Sequence, residues 1–278
     1  MKRSKIIVII LLSSVAFLGL KIHIDTIHRG KVPGSSIIYI PSGKYLKYAT
    51  FGFPELGADL IYLWAIQYYS DYSIPDRFDY LDHIFSITAE LDPRYVDPYH
   101  IGSLIAILEA KDLDLALKIL ERGFEKNPDQ WLFPFLAGHY AQMYGNDFQR
   151  ARSYYKQAME IEGAPEFTER LYAHAAFKSS DYQTAWKDWL NIYENAPNER
   201  TKKIASNHLY NIKATIDKIE LEKALNAYKE KFGHYPEDLF RLVQAGYIRN
   251  VPKDLDNNDY IYDPETGEIT TKVIPWKR

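Results

Sequence analysis

After Pro54, apolar residues recur with the spacing of amphipathic helices, and the pattern repeats about every 34 residues along the chain. Three consecutive segments each begin at an aspartate, place an alanine four residues later and end close to a proline; their alanines are Ala116, Ala151 and Ala185. The helix before each segment carries a small residue 12 or 13 positions ahead of that alanine, namely Ser103, Gly138 and Ala173. Small residues at matched positions let two antiparallel helices approach closely, so the pattern predicts a row of helix pairs.

These residues resemble the tetratricopeptide repeat (TPR) family, in which small residues lie at the helix–helix contact and a proline follows the second helix. The best single match consists of Trp131, Gly138, Tyr144, Ala151, Tyr155 and Ala158. A first, degenerate repeat carries Trp64 and Tyr68, has an insertion near residues 73–75 and ends at Leu91–Asp92–Pro93. Leu81 stands where this repeat should have alanine, and Gly123 replaces another small residue of the motif. The resemblance implies a mainly α fold, a TPR-type α-solenoid with about four helix-turn-helix repeats over residues 60–198.

The periodicity changes after the repeats. Residues 199–232 have helical spacing and predict one or two helices that cap the solenoid with a basic, polar face. Residues 233–278 predict a small α/β segment: a short helix begins near Tyr235–Pro236 and stops at Gly246, and a β-hairpin occupies residues 260–270.

The stretch from Ala227 to Tyr262 resembles the carboxy-terminal part of the pseudopilins of type II secretion and type IV pilus systems. The matching residues include Tyr235–Pro236, Gly246–Tyr247–Ile248, Val251–Pro252–Lys253–Asp254 and Tyr260–Ile261–Tyr262. A pilin-type amino terminus is missing, because no prepilin cleavage motif precedes Ile6. The resemblance implies a setting in pilus or secretion-system assembly.

The amino terminus predicts export. Residues 2–5 are basic, and residues 6–20 follow without a charge before Lys21. Residues 1–24 are therefore expected to be an uncleaved signal-anchor or a cleaved signal peptide, with the rest of the chain extracytoplasmic. The uncharged run is shorter than the ~20 residues that cross a bilayer, so an anchor requires Lys21 to snorkel. Residues 25–59, rich in Pro, Gly and Ser, predict a linker with one short strand at residues 37–40.

Composition excludes several function classes. The formal net charge is -3, which disfavours a nucleic-acid partner, since duplex binding needs many Lys and Arg. The chain has no cysteine, so disulfides, thiolate metal sites and thiol nucleophiles are absent. No nucleophile elbow, zinc-protease motif, P-loop or dinucleotide fingerprint occurs, and we do not expect an enzyme.

The first helix of each repeat lines the concave groove of a solenoid, where extended peptides bind. Counting from the small residue of each repeat gives a set of groove candidates, in which His139 and His174 are equivalent. Aromatic and cationic side chains together suit a peptide with an acidic or carboxylate end. The same residues could instead pack between repeats or point into solvent. The candidates are His100, Phe135, His139, Gln142, Arg170, His174, Phe177 and Lys178.

One further constellation has the spacing of a calcium loop. Oxygen-bearing side chains recur at nearly every second residue between residues 254 and 265, and the pseudopilins that the segment resembles bind calcium in the corresponding region. Asp259 stands where an EF-hand loop needs glycine, so a looser calcium site is the metal hypothesis. The alternative is a turn in which Asp and Asn satisfy their own backbone. The candidate ligands are Asp254, Asp256, Asn258, Asp263 and Glu265.

Together these features predict a membrane-anchored TPR scaffold or adaptor that binds another envelope protein through its groove, without a cofactor other than the candidate calcium. The competing hypothesis is a constitutive structural subunit of an envelope complex, held by its convex or terminal surfaces. An enzyme using the acids of residues 254–265 is a third, weaker alternative.

Overall fold

The computed structural model describes residues 2–26 and 40–274. Within these ranges the chain is mainly helical, with twelve helices and two short strands. It divides into two compact units, Met1–Asp92 and Pro93–Arg278. Residues 37–39 of the predicted strand at 37–40 lie outside the described residues.

The first unit contains four helices: α1 (Lys2–Thr26), α2 (Gly43–Ala49), α3 (Pro54–Ser70) and α4 (Leu81–Leu91). Within the described ranges, none of the helices combines the length and the apolar character that crossing a lipid bilayer requires. Helices α2 and α3 both pack on α4, and the Tyr69 ring lies 5.8 Å from that of Phe85 in the core. Residues 25–59 are thus not only a linker, because they include α2 and the start of α3.

Helix α2 begins at a contact that only glycine allows. A Cβ on Gly43 would lie 2.7 Å from both the Cβ of Glu90 and the carbonyl oxygen of Ile87 on α4. This close approach lets the Glu90 carboxylate accept a hydrogen bond of 2.8 Å from the backbone N–H of Lys44. The carboxylate therefore caps the amino-terminal end of α2, where the helix dipole favours negative charge.

The second unit begins with six helices that pair in chain order: α5 (Val96–Leu108), α6 (Leu113–Lys126), α7 (Leu132–Met143), α8 (Phe148–Met159), α9 (Phe167–Lys178) and α10 (Tyr182–Glu194). Short turns join them, and each packs on its neighbours in the chain. Asp112, Asp147 and Asp181 are the N-caps of α6, α8 and α10, and each carboxylate accepts a hydrogen bond from the backbone N–H three residues later. The repeated aspartate thus starts the second helix of every pair.

These helices form two layers. In the first-helix layer, Tyr99 on α5 contacts Phe133 on α7, and Phe135 on α7 contacts Phe167 on α9. The second-helix layer consists of α6, α8 and α10. There, Arg150 of α8 pairs with Glu121 of α6, and Arg152 of α8 pairs with Asp188 of α10 at 2.7 Å.

The small residues of the repeat lie where the layers meet. Ser103, Ala116, Ala151, Ala173 and Ala185 are fully buried. The helices approach closely at Gly138, where a Cβ would lie 2.8 Å from two carbons of the Tyr155 ring. The predicted helix contacts are therefore confirmed at these positions.

Helix α11 (Glu199–Phe232) is one continuous helix that belongs to two cores. Its first half packs on α10 through Ala205, Leu209 and Ile212. Its second half contributes Leu221 and Leu225 to the core of the carboxy-terminal segment. The core of the carboxy-terminal segment therefore includes residues from the second half of the predicted capping helix.

The rest of that segment consists of α12 (Phe240–Gln244), β1 (Ile261–Tyr262) and β2 (Ile269–Thr270). The two strands pair antiparallel, with Ile261 opposite Thr270 and Tyr262 opposite Ile269. The predicted hairpin is confirmed, and Ile269 and Tyr260 pack on α11 within the same core.

Buried polar contacts fasten this segment to α11. The Tyr210 hydroxyl donates to Asp254 at 2.6 Å, and the Tyr260 hydroxyl donates to Asp217 at 2.6 Å. Lys213 pairs with Asp217 and also donates to the carbonyl oxygen of Lys253 at 3.2 Å. Two buried carboxylates are thus satisfied by tyrosine hydroxyls across the interface.

The helix contact at Gly138 gives the first prediction. We expect Gly138→Leu to lower the stability of the second unit by about 1–3 kcal/mol or more, because the larger side chain must displace the Tyr155 ring. Chemical denaturation followed by circular dichroism measures this. Met143→Leu, at an exposed position of the same helix, is the matched control and should leave stability unchanged. Equal stability of the two variants would contradict the observed packing.

The second prediction concerns Tyr210. Tyr210→Phe should cost about 1–3 kcal/mol at neutral pH, because it removes a donor from the buried Asp254 carboxylate. Burial and the Asp254 carboxylate raise the pKa of Tyr210 to about 12. Its contribution to stability is therefore complete below pH 10, the ordinary value, and is lost as pH rises through 12. Denaturation of both proteins across pH 7–12 should show the difference shrinking at the alkaline end. Tyr72→Phe, at an exposed tyrosine, is the control.

Candidate functional site

All eight predicted groove residues lie on the first-helix layer. His100 is on α5, Phe135, His139 and Gln142 are on α7, and Arg170, His174, Phe177 and Lys178 are on α9. They fall into a group on α7 and a group on α9 that contains Arg170 and Lys178; of the seven side chains, only that of Lys178 is exposed and the rest are half-buried. His100 is half-buried, and its carbonyl oxygen accepts a hydrogen bond of 2.7 Å from the Ser103 hydroxyl.

The α7 group packs within the protein. The Phe135 ring contacts those of Trp131, Tyr155 and Phe167 at centroid distances of 5.8, 6.2 and 5.5 Å, and it stacks on His139. Gln142 accepts a hydrogen bond of 3.3 Å from the Tyr155 hydroxyl. Burial lowers the pKa of His139, so this imidazole is neutral at pH 7. At these three positions the structure agrees with the alternative stated above, in which the side chains pack between repeats.

The α9 group meets α11 through two histidines. The His174 ring lies 5.8 Å from that of His208, and His208 in turn stacks on Trp189 at 3.7 Å with the planes 9° apart. Burial lowers the pKa of His174, and Lys178 lowers it further. For His208, burial and the neighbouring His174 and Arg170 lower the pKa to about 3. Both imidazoles are therefore neutral at pH 7, and the permanent positive charge of this surface comes from Arg170 and Lys178.

Arg170 borders a cavity of about 380 Å³ between the start of α9, the end of α10 and the start of α11. In the described part of the chain, no carboxylate lies within ion-pair distance of its guanidinium. The cavity has apolar and polar walls. Glu169, which also lines it, accepts a hydrogen bond of 3.2 Å from Asn191. The other lining residues are Met159, Ala164, Pro165, Glu166, Ile192, Asn195, Pro197 and Thr201.

Sequence reasoning missed His208 and most of this cavity. His208 follows His174 by 34 residues, and His174 follows His139 by 35, so the repeat period itself identifies the third histidine. The expectation that residues 199–232 form a cap leaves out His208, whose ring instead lies against those of His174 and Trp189. The cavity residues come from a loop and three helix ends that are separated in the sequence. No linear motif contains them, so the sequence does not predict the cavity.

The structure does not group the candidate calcium ligands around one metal site. In the described residues, no group of three or more His, Asp or Glu side chains is placed to hold a metal ion. Asp254 is buried and accepts hydrogen bonds from Tyr210 and from the backbone N–H groups of Asp256 and Asn258. Burial raises the Asp254 pKa, but these hydrogen bonds outweigh burial and hold it below the usual range.

The acids of the hairpin serve a separate turn. Asp263 accepts from the backbone N–H of Glu265 at 2.9 Å and from the Thr266 hydroxyl at 2.8 Å. Asp254 and Asp263 thus each close their own turn, in agreement with the alternative of Asx-type turns. The spacing resembled a calcium loop because turns favour the same oxygen-bearing residues.

No protein-family model matches the chain, and no match was found among curated proteins.

The stacked histidine gives a pH prediction. The His208 pKa is depressed from about 6.5 to about 3, so its contribution to stability is present above pH 6.5 and is lost as pH falls towards 3. The variant His208→Phe keeps a ring against Trp189 but has no group that titrates. Below pH 6.5, we therefore expect its free energy of unfolding to fall less steeply with acidification than that of the unsubstituted protein, by up to about 1.4 kcal/mol per pH unit. Denaturation between pH 7 and 4 measures this slope.

The control for that experiment is His234→Phe, at an exposed histidine outside the layer. It should leave the slope of the unsubstituted protein unchanged. A His208→Phe protein with the same slope as the control would show that His208 titrates like an exposed imidazole.

Proposed function

We propose that this protein is a membrane-anchored scaffold of TPR type, and that the α9–α11 part of its first-helix layer binds a carboxylate-bearing segment of another envelope protein. The observation that carries the proposal is the guanidinium of Arg170, which lies at the edge of a cavity beside a neutral imidazole and has no ion-pair partner among the described residues. The two sequence resemblances suggest the assembly of a pilus or secretion machine as the setting.

The TPR assignment rests on recurrence. Three helix pairs repeat an aspartate cap, a buried alanine and a small partner residue (Ser, Gly or Ala) with a period of 34–35 residues. Their consecutive packing in two layers is the arrangement that stacked repeats require. The first, degenerate repeat corresponds to α3 and α4 of the other unit.

The chemistry of the cavity indicates the kind of ligand. A guanidinium forms paired hydrogen bonds with a carboxylate, and it does so most strongly where solvent is partly excluded. Glu166 and Glu169 would repel a second carboxylate on their side of the cavity. A peptide end fits both features, because its carboxylate would face Arg170 while its N–H groups lie near the glutamates. The cavity volume of about 380 Å³ is within the range of small-ligand sites.

The membrane anchor rests on the basic start and the uncharged residues 6–20. Large apolar side chains of α1 between Ile10 and Ile22 are exposed, including Leu12, Val15 and Phe17. An apolar helix surface of this kind requires a lipid or protein cover. Because the uncharged run is short, the anchor also requires Lys21 to reach the interface with its ammonium group.

The alternative is a constitutive subunit held by its convex or terminal surfaces. The packing of Phe135 and His208 inside the protein favours this alternative, since most of the surface of both side chains is already covered. Arg170 and Lys178 separate the two functions, because they carry no comparable packing role.

The test is affinity capture of the tagged full-length protein from detergent-solubilised membranes, with mass spectrometry of the captured proteins. Arg170→Glu/Lys178→Glu should lose its partner, because charge reversal turns an attractive site into a repulsive one. The expected cost is about 2 kcal/mol or more, roughly thirty-fold in affinity.

The matched control is Lys156→Glu/Lys187→Glu, which reverses two exposed lysines on the second-helix layer. It has the same net charge as the test variant and should retain the partner. The same captured proteins with all three forms would overturn the groove proposal and support the constitutive subunit.

A further inference from the structure

The outward face of α3 is apolar. Ala58, Ala65, Tyr68 and Tyr69 are the buried side of this helix. On the opposite side, Leu56, Leu60 and Leu63 follow one another at i, i+4 and i+7, and all three are more than half exposed. This spacing places them in one stripe along the helix. The helix therefore has two apolar faces, of which the protein covers one.

The residues before this stripe are also apolar and exposed. Tyr48 on α2 is 84% exposed, and Phe51 in the turn between the helices is 90% exposed. Tyr45 and Phe53 are each 66% exposed. Together with the three leucines they form the exposed apolar segment, residues 45–63. Seven large apolar side chains within 19 residues exceed the scattered exposure normal for a protein surface.

Charges border this segment without interrupting the leucine stripe. Lys44 and Lys47 are exposed on α2. On α3, Glu55 and Asp59 are exposed on one flank of the stripe, about 60–100° around the helix from its centre at 3.6 residues per turn. Protein surfaces at the level of lipid headgroups commonly combine tyrosine, phenylalanine and lysine with a leucine-rich face. Lysine ammonium groups there complement lipid phosphates.

The chain also restricts how far this segment can lie from α1. Sixteen residues, 27–42, separate the end of α1 from the start of α2. Fully extended, they span at most about 58 Å, and any folding shortens this reach. A segment tethered this closely to a membrane anchor meets the bilayer surface at high effective concentration.

We propose that residues 45–63 lie in the headgroup region of the bilayer, with the α3 leucine stripe and the α2 aromatics towards the acyl chains. The segment is then a second, interfacial membrane contact, which holds the first unit at the surface. This inference rests on the proposed anchor, and the experiment below separates the failure of each.

The chain contains no cysteine, so a single introduced cysteine can be labelled specifically. Three full-length variants are reconstituted in liposomes of phosphatidylcholine and phosphatidylglycerol: Leu60→Cys in the stripe, Glu55→Cys on the flank of the same helix, and Val15→Cys in α1. Each carries an environment-sensitive fluorophore. Quenching by spin-labelled lipids reports lipid contact, and quenching by aqueous iodide reports contact with water.

We expect the Val15 label to be quenched by lipid and protected from iodide. The Leu60 label should be quenched several-fold more by shallow spin-labelled lipid than the Glu55 label, which should respond to iodide. Changing Leu56 and Leu63 to Gln in the Leu60→Cys protein should weaken the lipid quenching while the helical circular dichroism is preserved, because both side chains are exposed.

Two results would overturn the inference while leaving the anchor intact. Iodide quenching of the Leu60 label equal to that of the Glu55 label would place the stripe in water. Protection of the Leu60 label from both quenchers would show a protein cover, such as a second copy or a partner. Iodide quenching of the Val15 label would overturn the anchor itself, and the interfacial contact with it.

Discussion

The architecture of the second unit depends on how closely two helices can approach. Gly138 has no side chain where α7 meets α8, and the Tyr155 ring occupies the space that a Cβ would need. The buried alanines of α6, α8 and α10 make equivalent approaches possible in every pair. Because the two helices of each pair pack closely, the first helix of the next pair can lie beside the first helix of the pair before it. The first helices of successive pairs therefore form one continuous layer. Arg170, His174 and His208 meet only because this layer brings α9 against α11.

Helix α11 carries that arrangement into the carboxy-terminal segment. At one end, the ring of His208 stacks on Trp189 of the last repeat. At the other end, the buried carboxylate of Asp217 accepts the hydroxyl of Tyr260 from the hairpin. The helix has no break between these contacts. The same backbone therefore fixes both the cationic surface of the repeats and the position of the hairpin, and the two cores are joined by one unbroken helix.

Periodic features could be predicted from the sequence, and features that depend on burial could not. The aspartate caps, the small residues and the hairpin follow from local chemistry and recurred at the expected positions. In α11, Ile216 and Ile219 are exposed although both are apolar, whereas the charged Asp217 is buried because Lys213 and Tyr260 satisfy it. Asp254 looked like a metal ligand since its spacing is visible in the sequence, whereas its tyrosine partner 44 residues away is not.

The continuity of α11 limits where the carboxy-terminal segment can be separated from the rest of the chain. The hairpin and α12 look like a detachable module, because Gly233 ends the helix before them. Their core, however, contains Leu221, Ala224 and Leu225. A recombination event at residue 233 would transfer a hairpin without the surface on which it folds. The smallest unit that keeps these contacts begins inside the helix, at or before Tyr210, so the carboxy-terminal segment can be exchanged between proteins only together with the part of α11 that follows.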